Sequence, residues 1–173
     1  MTRKVFIFGT SHKLQCGVVG CSVDKITALE REIRRVLSKY DIRRIAEEMS
    51  DDALRKITGD QEAKTLCQRV FGNDLPIRFV DLGEAERACL SLSNAEIDTF
   101  MFKQSKNSAM IRVRKALNDL CDEVRERIWV ARILSGDEWP VLLVCGAEHA
   151  DSVSALFKRI GVQATVICRD FDP

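Results

Sequence analysis

Two apolar runs that each end in Gly-x-x-His constrain this chain more than any other feature: residues 5–8 lead into Gly9-Thr10-Ser11-His12, and residues 142–145 into Gly146-Ala147-Glu148-His149. A short apolar run stopping at a glycine predicts a strand buried on both faces, as in parallel sheets covered by helices. Ligands of such sheets sit beyond the carboxyl ends of the strands. The chain holds only 2 histidines, so both imidazoles are expected on one rim. A neutral imidazole serves as a metal ligand or a general base. One such histidine alone reads more simply as a turn residue satisfied by backbone; the pair reads as a site.

Between these strands the pattern alternates. Residues 13–21 read as a glycine-containing loop, and Ser22 as the N-cap of a crossover helix with Ile26, Leu29, Ile33, Val36 and Leu37 on one face. Residues 41–47 predict a second strand delivering Glu47 and Glu48 at its carboxyl end. Ser50, Asp51 and Asp52 open another helix. A helix over 60–71 leads to a third strand over 77–82, with Asp81 near its end. Residues 84–90 read as helical and 91–94 as a turn, and part of 83–107 is expected to be a mobile cover. Apolar spacing from Ile111 to Leu134 predicts a long helix over 108–134. Residues 141–145 form the fourth strand, 151–160 a helix stopped by Gly161, and 162–168 the fifth strand. The expected fold is one α/β domain spanning 1–173, three-layered, with a mainly parallel sheet of about five strands.

Composition narrows the function classes. With 27 basic and 26 acidic residues the formal net charge is +1, so nothing in the balance demands nucleic acid or an anionic membrane. The basic stretch 31–44 includes only one aromatic, Tyr40, and surface solubility explains it equally well. The apolar stretch near the N-terminus is too short for a signal sequence or a membrane span, so a cytoplasmic protein is expected. The 7 cysteines include no CxxC pair, which fits reduced, mostly buried thiols. Walker A, GxGxxG, HExxH and GxSxG patterns are absent from the sequence.

The polar residues at the predicted strand ends form a constellation: His12 after strand one, Glu47 and Glu48 after strand two, Asp81 after strand three, and His149 after strand four. Two histidines with one or two carboxylates and an open position suit zinc, manganese, cobalt or iron. The expected metal ligands are His12, His149, Glu48 and Asp81. Such an ion would lower the pKa of a bound water, with a carboxylate taking the proton as hydroxide attacks a carbonyl or phosphoryl centre. Glu47 and Glu48 alternate faces, so only one is expected to enter the site. Asp81 reads equally well as a turn or capping group. Arg125 shares a helix face with Trp129, and Arg125 or Arg127 could hold an anion or stabilise an oxyanion. A charge run on a helix is nevertheless more often a solvated face.

The two GxxH motifs, the acid after strand two and the Arg-rich helix before the second motif resemble the Tiki/TraB/PrgY proteins and the erythromycin-esterase and ChaN-like group. Residues 45–50, Arg125-Glu126 with Trp129, and residues 145–149 look most like small bacterial members at the edge of that superfamily. The resemblance implies roles for His12 and His149, for Glu48 or Glu47, and for Arg125 or Arg127. It spans metal-dependent proteolysis, lactone opening and haem or iron handling, so no substrate transfers. The leading expectation is a small metal-dependent hydrolase acting on a small molecule or peptide. The alternatives are a non-catalytic module binding a small anion, or a structural subunit of a bacterial assembly, favoured by an apolar exposed helix face or a stable homo-oligomer.

Overall fold

Strands β1 (Lys4–Thr10), β2 (Arg44–Glu47), β3 (Ile77–Phe79), β4 (Val141–Cys145) and β5 (Gln163–Phe171) join in one sheet of order β3-β2-β4-β1-β5. All the pairings are parallel. Seven α-helices are described: α1 (His12–Cys16), α2 (Val23–Tyr40), α3 (Asp51–Thr58), α4 (Leu66–Phe71), α5 (Glu84–Cys89), α6 (Ser108–Leu134) and α7 (Ala150–Arg159). A 3-10 turn, Ala147–His149, precedes α7. This computed structural model describes residues 2–17, 21–90, 92 and 108–173, the side chains of Ser108 and Met110 excepted. The turn expected over 91–94 and the cover expected after α5 fall largely outside those residues, as do residues 18–20 of the first loop.

Alternation along the two central strands builds two cores. Val5, Ile7, Leu143 and Cys145 face Trp129 and Ile133 of α6 and Val153 and Phe157 of α7. Phe6, Phe8, Leu142 and Val144 face Leu29, Ile33 and Val36 of α2 and Leu66 and Phe71 of α4. Both faces of β4 are therefore covered and its five residues are all buried. That is the three-layer α/β arrangement that continuous apolar runs require, since a parallel strand has no solvated face to alternate with.

Local chemistry sets the element ends. Ser22 Oγ accepts from Lys25 N at 3.2 Å, as an N-cap should. The helix expected over 60–71 begins only at Leu66, because Thr65 and Gln68 form a reciprocal capping box that fixes the start there. The first loop contains a helical turn: Ser11 Oγ accepts from Leu14 N at 3.3 Å, and His12 opens α1. Arg44, almost fully buried at the start of β2, donates from Nη2 to the Ile133 carbonyl at 2.6 Å. It thereby ties the end of α6 to the sheet, satisfying a carbonyl that the helix itself leaves open. Among the described residues no helix is long and apolar enough to cross a membrane.

Candidate functional site

Strand order decides where a site can form. β1 and β4 are neighbours, yet β1 connects leftward through α1 and α2 to β2, whereas β4 connects rightward through α7 to β5. The two connections lie on opposite faces of the sheet, α2 over Phe6 and Leu142 and α7 over Ile7 and Leu143. Neighbouring strands whose connections diverge leave a crevice at their carboxyl ends. Both GxxH segments leave the sheet there, and β2 on the other side of β4 delivers Glu48 to the same edge.

Glu48 is the centre of what converges. Its backbone N–H still pairs with the Val144 carbonyl at 2.8 Å, so the residue extends β2 by one position. Its Oε1 lies 3.4 Å from His149 Nε2, 3.7 Å from His12 Nε2 and 2.8 Å from Arg125 Nη2. Its Oε2 accepts from the Gly146 N–H at 2.6 Å, a contact that the second GxxH glycine makes through its backbone. Burial raises the Glu48 carboxyl above its ordinary range, and the positive fields of His149, His12 and Arg125 offset only part of that rise.

His149 is oriented from its other side. Its Nδ1 lies 2.8 Å from Glu126 Oε1, and the Ser152 hydroxyl donates to the same oxygen at 2.6 Å. The Trp129 ring meets the imidazole edge-on, with centroids 5.0 Å apart. Burial disfavours the imidazolium, but the hydrogen bond to Glu126 and the field of Glu48 outweigh it and raise the His149 pKa. His12 is more open, with 39% of its side chain exposed. It lines a cavity of about 1100 Å³ beside α1, whereas His149 and Glu126 line a separate one of about 460 Å³. Glu48 sits between the two.

The other expected site residues divide cleanly. Asp81 lies beyond Arg125: it accepts from Arg125 Nε at 3.0 Å, from Arg87 Nη2 at 2.5 Å and from Trp129 Nε1 at 2.9 Å. Burial works against its charge, but Arg125 and the other donors overcome that and hold its pKa below the ordinary aspartate value. Arg125 bridges Asp81 to Glu48 and also donates to Asp122 at 2.8 Å. Arg127 points elsewhere, to Glu123 on an exposed face at 2.5 Å. Glu47 takes the opposite side of β2 from Glu48, where its Oε2 accepts from Thr65 Oγ1 at 2.7 Å and its Oε1 has no hydrogen-bond partner. Burial there pushes Glu47 up to about 7.

A resident divalent ion would draw on His12, His149 and Glu48. Arg125 already brings a cation to Glu48 Oε1, and Asp81, the fourth expected ligand, is engaged on the far side of that guanidinium rather than beside the imidazoles. Among the described residues, no group of three or more His, Cys, Asp or Glu side chains could hold a metal ion.

Sequence reasoning named Glu126 but not its task, and it missed Ser152. The available signal was that a buried histidine with Nε2 at a site needs a fixed partner on Nδ1. Ser152 follows His149 by three residues and so shares its face at the start of α7. The chain matches no family model, no curated protein and no solved structure.

Proposed function

We propose that this protein is a small hydrolase working by acid–base chemistry at the β1/β4 crevice. The single observation that carries the proposal is the continuous chain Ser152–Glu126–His149–Glu48–His12, which runs from one cavity to the other through a buried carboxylate. A buried carboxylate held between two imidazoles and a guanidinium is costly unless it has work to do, and such groups concentrate at functional sites.

In this reading His12, the more exposed imidazole, takes a proton from a water in the larger cavity. The water oxygen bonds to a carbonyl carbon, and His12 returns the proton to the leaving group as its bond to that carbon breaks. Glu48, 3.7 Å away, balances the positive charge that His12 takes on, and Gln15 Oε1 meets the ring at Nδ1. His149, Glu126, Ser152 and Arg125 are positioning residues that hold Glu48 in place. No step is routed through a metal. The anion-binding alternative is weaker, because both guanidiniums it relied on are engaged, Arg125 by Asp81, Glu48 and Asp122 and Arg127 by Glu123. Lactone or ester opening is the member of the resembled group's chemistries that this arrangement suits best, and the resemblance itself remains part of the proposal.

The test is turnover of ester, lactone, amide and phosphoester panels by the untagged protein in the presence of a chelator. Wild type is expected to turn over an ester or lactone, and His12→Ala and Glu48→Gln are expected to lose about 100-fold or more, the scale of general acid–base catalysis. Turnover that the two substitutions leave intact, or that appears only on adding a divalent ion, defeats the mechanism; no turnover on any panel defeats the hydrolase.

A further inference from the structure

We propose that the large cavity beside His12 receives a substrate carrying a carboxylate, a small ester or lactone whose acid group docks on Arg69 in a lining that also holds Lys13 and Lys64; this deepens the hydrolase reading and rests on it. The cavity, of about 1100 Å³, is lined by His12 and Lys13 of α1, by Cys16 and Gly17 at the end of that helix, and by Lys64 and Arg69. Its volume is at the top of the range for small-molecule sites.

Arg69 is placed to hold such a group. It sits on the short helix α4, whose start the Thr65–Gln68 box fixes, and its Nη1 donates to the Lys64 carbonyl at 2.6 Å and to the Cys16 carbonyl at 3.1 Å. The second bond satisfies an open carbonyl at the end of α1 and holds the guanidinium against that helix. Both acceptors are neutral, so they orient the charge without cancelling it. Among the described residues Nε and Nη2 donate to nothing, and they form the same edge with which Arg125 grips Asp81. Nη2 lies against Gly17, where a Cβ would come within 2.5 Å of it, and Gly17 lines the cavity too. A guanidinium edge of this kind matches the two oxygens of a carboxylate.

The remaining charges agree. Lys13 and Lys64 are exposed and, like Arg69, make no ion pair among the described residues. Asp60 and Glu62 line the same cavity without pairing with any of the three; Asp60 Oδ1 instead accepts from the Glu62 N–H at 2.9 Å, within its own turn. The cations of the lining therefore outnumber its carboxylates. Glu47, the buried acid whose field reaches Arg69, is pushed up to about 7 and carries its full charge only above that. Ile57 and Ala63 supply an apolar part of the wall, which suits a short hydrocarbon chain between acid and ester. The smaller cavity has the opposite sign, with Asp119, Asp122, Glu123, Glu126 and Glu148 against Arg159 and His149. An anion is thus drawn to the His12 side of the site and away from the His149 side.

Isothermal titration of the full chain with glutarate and with its uncharged diamide, glutaramide, tests the site without requiring turnover. Glutarate should bind with a Kd of about a millimolar or tighter and weaken as salt is raised, and glutaramide should not bind. Arg69→Gln should weaken glutarate about tenfold or more, the scale of a charge-assisted hydrogen bond. Lys13→Gln with Lys64→Gln, both at the surface, should weaken it several-fold. Circular dichroism checks that each variant is folded; if Arg69→Gln is not, the lysine pair decides. Glutarate that fails to bind, glutaramide that binds as well, or binding unchanged in the folded variants each overturns the proposal. Comparing para-nitrophenyl hemiglutarate with para-nitrophenyl pentanoate separates it from the hydrolase reading. A preference for the charged ester that the lysine substitutions reduce supports both. Equal turnover of the two esters keeps the hydrolase and overturns the charged substrate, whereas glutarate binding without turnover of either keeps the carboxylate site and defeats the hydrolase.

Discussion

At the scale of single residues, neighbouring carboxylates on β2 meet opposite fates. Glu48 enters the site and Glu47 the core between β2 and α4, because successive side chains of a strand point to opposite faces. Glu47 is costly to ionise, since the Thr65 hydroxyl is its main donor and Oε1 has no hydrogen-bond partner. Its carboxyl at about 7, against an ordinary 4.5, means that the folded state holds the proton more tightly than the unfolded chain. This contribution to stability is complete below about pH 4.5 and is lost as the pH rises through 7, leaving a penalty on the order of 3 kcal/mol at pH 8. Glu47→Gln should therefore stabilise the protein at pH 8 more than at pH 5, as read by denaturant midpoints at the two pH values. Asp81 has the reverse sign: its lowered pKa contributes stability above the ordinary aspartate range that is lost as the pH falls through the folded value. Asp81→Asn, which removes the carboxylate that Arg125 meets through two nitrogens, should cost about 3 kcal/mol near neutral pH. The difference from wild type should shrink in acid, and chemical denaturation against pH measures both effects. The sequence showed that only one of Glu47 and Glu48 could enter a site. Which one depends on the phase of β2 against β4, a tertiary fact.

At the scale of elements, the two GxxH segments look alike in sequence but carry different loads. A Cβ on Gly9 would lie 1.9 Å from the Arg169 carbonyl oxygen and 3.2 Å from the Ala147 Cα. Both obstacles are backbone, held by the close approach of β1 to β5 and to the second motif. At Gly146 the nearest atoms to a Cβ are those of the Glu148 carboxylate, at 3.0 Å, and that side chain is 69% exposed. Gly9→Ala should destabilise by about 2 kcal/mol or more, the cost of forced overpacking. Gly146→Ala should stay within about 1 kcal/mol, near the ordinary surface range. Thermal unfolding of the pair checks the contrast, and equal losses would mean that the second motif is held as tightly as the first. Helical periodicity over 108–134 located α6 to the residue. It also placed Arg125 with Trp129, but it kept Arg125 and Arg127 both as candidates, and only the structure turns Arg127 away to Glu123. The late start of α4 was written in Thr65 and Gln68, where a capping box overrides a longer apolar pattern.

At the scale of the whole molecule, stability should be graded from the middle of the sheet outward. β4 is flanked on both sides and covered on both faces, while β3 is a three-residue edge strand whose side chains are only partly buried or exposed. Hydrogen exchange should find Val141–Cys145 among the last amides to open and Ile77–Phe79 among the first within the sheet. The same order explains the site. β2, β4 and β1 lie side by side, so Glu48, His149 and His12 reach one another, and β3 lies one strand further out, so Asp81 meets them only through Arg125. What the sequence determined by itself was local. Apolar runs and glycines gave the strands, helical spacing gave α2 and α6, Ser22 gave a cap, and the strand-end residues gave a short roster for a site. Strand order, the pairing of His149 with Glu126 and the engagement of Arg125 by three carboxylates were decided only by the tertiary structure. The physical reason is that propensity and periodicity act over a turn or a pleat, whereas these contacts join residues up to about a hundred positions apart, brought together only by how buried strands sort themselves in one sheet.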